Sequence, residues 1–347
     1  MTPDSPILAI ESSCDETAVA VLRPPGTILS SLIASQAEEH ARFGGVVPEV
    51  ASRNHLLAVD PLVRRALSEA GITARDLGAV AATSGPGLAP ALLVGASYAK
   101  GYALALGIPY LALNHLEGHL LSPFLGAEEI PAHVALLVSG GHTQLTLVRS
   151  AGDYTVMGRT LDDAAGEAFD KAATVLGLGY PGGPQIEAAA VGGNPRAHRL
   201  PRPLANDHDR LDLSFSGLKT ALRYLVRPPG SPADTPVPQG KALADLAASF
   251  QQAAVDSILA KVALAIDRTG CRVLAIGGGV TANTLLRESV ERLGRDRGID
   301  VLIPPRSLCT DNAAMGAIAW ERLERGENDG LELDVLPGTD RSAARRR

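Results

Sequence analysis

Apolar and polar positions alternate along the chain in a pattern that occurs twice. Residues 7–22, ILAIESSCDETAVAVL, set an apolar run, a short polar turn and a second apolar run. That is the pattern of two strands joined by a tight connection. Residues 134–148, VALLVSGGHTQLTLV, repeat it, with serine and glycine at the turn. A second matching pair follows. Residues 79–103, AVAATSGPGLAPALLVGASYAKGYA, read as strand, Gly-rich turn and helix, and so do residues 273–293, VLAIGGGVTANTLLRESVERL. Each is followed by a short apolar stretch, PYLAL at 109–113 and DVLIP at 300–304, which is predicted to lead into a helix. Two matches in the same order predict a duplicated α/β unit.

A duplication of this kind predicts two α/β lobes, 1–132 and 133–325, related by a pseudo-twofold axis. The turns at their strand ends would face an interlobe cleft, since open α/β sheets bind ligands at the carboxyl ends of strands. The second lobe is predicted to carry a helical insertion at about 160–250. Within it VRPPGSPADTPVPQGK, 226–241, has no apolar period and reads as a flexible loop. Residues 326–347 read as a disordered tail that ends in the basic RSAARRR.

Composition narrows the class. A chain of 347 residues suits one large or two medium domains. Hydrophobic residues are 46% and charged residues 20%, a globular balance, while aromatics are only 3%, so the core must be aliphatic. A formal net charge of -6 argues against bulk electrostatic capture of nucleic acid, and no basic stripe is visible. Cys14, Cys271 and Cys309 have no close pairing, which fits a reducing compartment. No signal-peptide pattern or membrane-length apolar run is seen, so the expectation is a cytoplasmic protein with no membrane association.

Candidate chemistry begins in LNHLEGHLLSPF, 113–124. His115 and His119 are four apart, so on a helix both rings share a face and can grip one metal ion. A zinc-peptidase helix would have glutamate after the first histidine, and here the residue is Leu116. The matched position in the second half carries CTDN, which brings Asp311 opposite the pair. The expected result is a two-His, one-carboxylate metal site with ligands from both halves. The plainer alternatives are surface or capping histidines, and Asp311 as the N-cap of a helix NAAMGAIAW.

Other turns carry weaker signals. VSGGHT, 138–143, could cradle an anion on its backbone N–H groups or be a plain hairpin turn. GGGVTAN, 277–283, suits a phosphate at a helix start or simply tight strand–helix packing, and no GxxxxGK[ST] occurs in the chain. Asp170 could bind ribose hydroxyls or pair with a neighbouring lysine. Glu11, Asp15 and Glu16 cluster at the first turn, where they could assist proton transfer, hold a cation or cap the turn together with Ser12 and Ser13. Cys14 has no histidine nearby in sequence and reads as a packing residue. Ser216 and Lys219, in RLDLSFSGLKTAL, lie where a turn enters a helix, and the sequence leaves their role open.

Taken in order, IESSCDETAVA, HLEGHLLSP, LLVSGGHTQL, DDAAGEAFDKAATVLGLGYPGGP, SFSGLKTA, IGGGVTAN and CTDNAAMGA resemble the TsaD family. These are the universal tRNA threonylcarbamoyladenosine transferases, once labelled O-sialoglycoprotein endopeptidases. The likeness runs from about residue 7 to about 325. It implies the duplicated fold of actin, sugar kinases and heat-shock chaperone ATPases. It implies transfer of a threonylcarbamoyl group from threonylcarbamoyl-adenylate to the exocyclic amine of the adenosine 3′ to the anticodon, in tRNAs reading ANN codons, with release of AMP. Carried over residue by residue, the resemblance makes His115, His119 and Asp311 ligands of one divalent ion per subunit, iron or else zinc. It makes Val138, Ser139, Gly140, Gly141, His142, Asp170, Gly183, Glu187 and Asn283 substrate-binding. Glu11 becomes the candidate acid that helps deprotonate the attacking amine. The implied partners are tRNA, a paralogous pseudo-enzyme subunit (TsaB-type) and a small ATPase (TsaE-type). Archaeal and eukaryotic members carry a tyrosine before the VSG turn that can join the metal. Leu137 stands there in this chain, the bacterial pattern, with one protein ligand fewer. The rival readings are a metallopeptidase, a sugar- or acetate-kinase-like ATPase and a non-catalytic nucleotide-binding scaffold.

Overall fold

The computed structural model describes residues 5–24, 26–127, 130–150, 153–232 and 235–338. Its contacts divide the chain into two compact units, one of Met1–Glu129 with Asp311–Arg347 and the other of Ile130–Thr310.

The first unit holds β1 (Ile7–Glu11), β2 (Glu16–Arg23), β3 (Thr27–Ser35), β4 (Ala79–Gly85) and β5 (Tyr110–Asn114). Their order in the sheet is β3-β2-β1-β4-β5. Strand β1 pairs antiparallel with β2 and parallel with β4. Helices α1 (Ala37–Ala41), α2 (Pro48–Glu69), α3 (Ala89–Leu106) and α4 (His115–Leu121) complete its main frame. All five residues of β1 are buried, because both faces of the strand are covered. Alternate residues take opposite faces. Leu8 and Ile10 join Val19 and Val21 in packing with Val59 and Val63 of α2. Ala9 takes the other face, where Gly316 approaches so closely that a Cβ on Gly316 would lie 2.6 Å from Ala9 Cβ. Glu11 has the same parity as Ala9. Helix α3 stops at Gly107, whose φ of +66° closes the end in the left-handed region.

The second unit repeats the plan. It holds β6 (His133–Val138), β7 (Thr143–Ser150), β8 (Asp153–Arg159), β9 (Val273–Gly277) and β10 (Asp300–Leu302). Its sheet order, β10-β9-β6-β7-β8, matches the first when β1 is laid on β6. The directions match as well: β6 is antiparallel to β7 and parallel to β9. Between β8 and β9 lie α5 (Ala165–Val175), α6 (Gly182–Ala189), α7 (Ser216–Val226) and the 30-residue α8 (Gly240–Thr269). Helix α9 (Thr284–Arg297) follows β9. The core is aliphatic, as the composition requires, apart from contacts such as Phe169 edge-on to Phe250 at 5.3 Å.

Five points differ from the sequence reading. The third strand of each sheet, β3 and β8, lay outside the matching segments read from the sequence. The loop expected at 226–241 is shorter, because α7 reaches Val226 and α8 begins at Gly240. The segment from Asp311 belongs with the first unit and not with 133–310. Small residues explain this: Gly316 fits against Ala9, and Met315 packs on Gly118 of α4. Instead of one helix NAAMGAIAW there is a 3-10 stretch, Ala313–Ile318, and then α10 (Ala319–Glu324). The expected disordered tail is ordered through residue 338. Asp329 N donates to Tyr110 O, Leu336 N to Ser84 O and Gly87 N to Pro337 O. RSAARRR lies outside the described residues. No helix among the described residues is long and apolar enough to cross a membrane.

Candidate metal centre and substrate-binding turns

Strand β5 runs into α4 without a loop. Asn114 makes this possible, since its Oδ1 accepts from Leu116 N at 2.9 Å and Glu117 N at 3.2 Å, capping the helix at its first turn. His115 and His119 then stand one turn apart, both buried, with ring centroids 4.6 Å apart and planes at 83°. Asp311 Oδ1 lies 3.0 Å from His119 Nε2 and 3.7 Å from His115 Nε2. One potential ligand atom from each of the three residues lies within 4.8 Å of the others. Around a tetrahedral ion with bonds of ~2.0–2.1 Å, ligand atoms sit roughly 3.3–3.5 Å apart, so the two Asp311 distances bracket the required span. Two imidazole nitrogens and one carboxylate form a donor set that can hold one divalent ion. The N-cap position of the 3-10 stretch Ala313–Ile318 is Asn312, one residue after Asp311. The three residues meet as the sequence predicts, but inside one compact unit.

The far edge of the His115 ring is braced. Its Nδ1 lies 3.2 Å from Glu11 Oε2 and 3.1 Å from Ser13 Oγ. Glu11 is 1% exposed. Its Oε1 accepts from Ser13 N at 2.6 Å, and its Oε2 from Thr83 Oγ1 at 2.5 Å. Burial disfavours the charged carboxylate, but the His115 charge and hydrogen bond outweigh it and hold Glu11 below the usual range. Burial likewise disfavours a charged His115, yet Asp311 and Glu11 beside it raise that imidazole to about 9. His119 Nδ1 is buried and has no hydrogen-bond partner among the described residues. The other acid of the first turn behaves in the opposite way to Glu11: burial, then Asp15 and Asp311, push Glu16 up to about 8. Burial and Asp15 also push the Cys14 thiol well above its ordinary value, which leaves it protonated and inert, as a packing residue should be.

In the second unit, Val138 ends β6 and the Ser139–His142 turn closes on itself. Ser139 N donates to His142 O at 2.8 Å and His142 N to Ser139 Oγ at 3.1 Å. Gly140 and Gly141 are exposed, with open space where a Cβ would point. The turn rests on the start of α5, where Gly166 N donates to Ser139 O. Asp170, on α5, accepts from Gly182 N at 2.7 Å and so fixes the start of α6, beside Gly183. The lysine next to it, Lys171, pairs with Asp163 and Glu167. One turn on from Gly183, Glu187 accepts from Thr284 N at 3.0 Å and from Asn283 Nδ2 at 3.4 Å. Asn283 caps α9 through Leu286 N and donates to Gln251 Oε1 at 3.0 Å.

Sequence reasoning missed Gln251, a buried amide in an Ala-rich stretch of α8 with no motif around it. It also missed the role of Asp162 and Asp163. Asp162 accepts from Phe215 N, Ser216 N and both the Ser214 and Ser216 hydroxyls, and so caps α7 from a distance in sequence. Asp163 binds Lys219 at 2.7 Å and Lys171 at 2.6 Å. Lys219 and Ser216 therefore have structural partners. The adjacent DD pair was the available signal.

Two sheets of identical order and direction place the chain in the duplicated class of actin, sugar kinases and chaperone ATPases. Solved structures agree on the fold. HypF of T. kodakarensis matches with a TM-score of 0.61 over 93% of this chain and 48% of its own, at 13% identity. Component A of the (R)-2-hydroxyglutaryl-CoA dehydratase of Acidaminococcus fermentans matches with 0.54 over 92% and 99%, also at 13%. Within that class the sequence is specific. The family model TsaD, tRNA N6-adenosine threonylcarbamoyltransferase, matches residues 27–318. A tRNA N6-adenosine threonylcarbamoyltransferase of Pelobacter propionicus is 51% identical over 96% of this chain and 97% of its own. One of Paramagnetospirillum magneticum is 49% identical over 95% of each. The chain belongs to the TsaD family.

Proposed function

We propose that the three residues His115, His119 and Asp311 hold one divalent ion, iron or zinc, that orients the acyl end of threonylcarbamoyl-adenylate for transfer to tRNA. As a member of its family the chain is a transferase acting on an adenosine of tRNA. The carrying observation is that two buried imidazoles and a partly buried carboxylate bring their ligand atoms within 4.8 Å of one another, with no acid directly after His115. The ion supplies Lewis-acid polarisation and a fixed orientation when bound.

The chain's own residues supply the rest. The Val138–His142 turn, with its open Gly140 and Gly141, offers backbone donors to charge developing on the carbamoyl oxygen. Asp170, Gly183, Glu187 and Asn283 take the AMP portion through the starts of α6 and α9. The exocyclic amine of the adenosine 3′ to the anticodon, in tRNAs reading ANN codons, attacks the carbamoyl carbon. The bond from that carbon to the phosphate oxygen breaks, the amine loses a proton and AMP departs. A paralogous pseudo-enzyme subunit and a small ATPase assist in the cytoplasm, as the family resemblance implies. A peptidase would use a glutamate where Leu116 stands, and a sugar or acetate kinase would have no use for the histidine pair. Reconstitution with tRNA, threonine, the adenylate-forming enzyme and partner subunits tests the reading. Modified tRNA is expected with the wild-type chain and none with His115→Ala; unmodified tRNA with every component present refutes it.

A further inference from the structure

We infer that Glu11 is a positioning residue for His115, not the base that accepts the amine proton. The inference rests on the metal reading above. An imidazole offers one ligand nitrogen, and the hydrogen bond on its other nitrogen decides which one faces the ion. Asp311 lies toward Nε2 of His115, at 3.7 Å. Glu11 Oε2 lies on the opposite edge, 3.2 Å from Nδ1. With a proton on Nδ1 directed at Glu11, only Nε2 is free to bind the ion. The carboxylate then acts through the ring and not on the substrate.

The surroundings of Glu11 fit that role and not a base. Its oxygens face three protein donors: Ser13 N, Thr83 Oγ1 and His115 Nδ1. A proton acceptor must come within ~2.6–3.2 Å of the amine, directly or through one water. A carboxylate that is 1% exposed, with both oxygens engaged by protein donors, does not meet the amine directly, and the small cavity it lines with Thr83 and His115 opens only onto oxygens already so engaged. The donors are also drawn from separate elements. Thr83 is on β4, Ser13 on the turn after β1, and His115 at the start of α4. That turn is itself pinned, since Leu88 N donates to Ser13 O and Ser12 Oγ to Ala91 O. Glu11 is thus the point where β1, β4 and α4 fix one ring. His119 has no such brace on its Nδ1, so ring orientation at this centre is set chiefly at His115.

The test separates ion affinity from turnover. Wild type, Glu11→Gln and Thr83→Val are stripped of ions and titrated with Co2+ and Zn2+ against a chelator. The visible Co2+ spectrum reports the coordination. Threonylcarbamoyl transfer is then measured against pH at saturating ion. For Glu11→Gln the expected result is a loss of about 10–100-fold in ion affinity and an altered Co2+ spectrum. Transfer at saturating ion should return to within a few-fold of wild type with an unshifted pH profile. Thr83→Val should show the same pattern, weaker, and keeps the test open if Glu11→Gln fails to fold. Unchanged ion affinity with transfer lost at every ion concentration overturns the inference and restores Glu11 as the base. A wild-type chain that binds neither ion overturns the metal reading itself, which is a distinguishable failure.

Discussion

His115, His119 and Asp311 differ in how firmly each is held, and their variants should differ accordingly. Asp311 is the most exposed of the three side chains, at 19%, and removing it leaves two nitrogens. Asp311→Ala is therefore expected to fold normally and to lose ion affinity by more than about 10-fold, measured by chelator competition. His119→Ala should lose the ion as well and also destabilise the fold, by about 2–4 kcal/mol in denaturant unfolding, because its side chain is fully buried. At Gly166 the constraint is steric. A Cβ would lie 2.8 Å from both Gly140 Cα and Ser139 O. Gly166→Ala is expected to displace the Ser139–His142 turn and raise KM for the adenylate, leaving ion affinity unchanged.

At the scale of elements, α2 is tied to the first turn by one histidine. His55 Nε2 donates to Cys14 O at 3.0 Å, while Nδ1 accepts from Thr17 Oγ1 at 2.8 Å and from Gln36 Nε2 at 3.4 Å. The neutral ring satisfies every one of these partners, while a proton on Nδ1 would require the Thr17 hydroxyl to turn and accept and would face the Gln36 amide donor. Burial, opposed by the Cys14 carbonyl and by Glu11 and Asp15 and reinforced by His40, holds its pKa below the ordinary value. Between that lowered value and about 6.5 the unfolded chain binds the extra proton, so this group's stability contribution is lost as pH falls. Glu16, raised to about 8, contributes the opposite slope in this window, so the His55 share is read as the difference between wild type and His55→Phe measured from pH 7 to 5, which should shrink as pH falls by at most about 1.4 kcal/mol per pH unit. His55→Phe should lower stability at pH 7 by about 2–4 kcal/mol.

The elements were legible in the sequence to the extent that they repeat. Segments 7–22 and 134–148 read alike because β1–β2 and β6–β7 are the same hairpin, and CTDN could be matched to the histidine helix because β10 is the counterpart of β5. What could not be read depended on tertiary partners. β3 alternates exposed and buried positions without a motif, and Gln251, Asp162 and Asp163 bond to Asn283, Ser214 and Lys219, which lie 32, 52 and 56 positions away. The role of Glu11 was hidden for the same reason: three acids at one turn look alike until burial sorts them.

At the scale of the molecule, the chain returns after Asp311 to complete the unit in which it began. The return closes a sheet edge. Asp329 Oδ2 accepts from Ala112 N at 2.7 Å, and Arg322 Nη1 donates to Ala112 O at 2.9 Å. The two side chains pair at 2.9 Å, so an ion pair supplies the ladder bonds a further strand would make on β5. Because β5 leads directly into His115, Asp329→Ala should lower unfolding free energy by about 1–3 kcal/mol and also loosen the ion site.

The central claim is that acyl transfer by this chain depends on one ion held by His115, His119 and Asp311. The most direct test strips the wild-type chain of ions, restores iron or zinc stepwise, and follows threonylcarbamoyl transfer to tRNA against measured occupancy. Transfer should rise in proportion to occupancy, level off at one ion per chain, and stay absent in Asp311→Ala although that variant still binds the adenylate. Full transfer by the stripped chain, or by Asp311→Ala, would contradict the account.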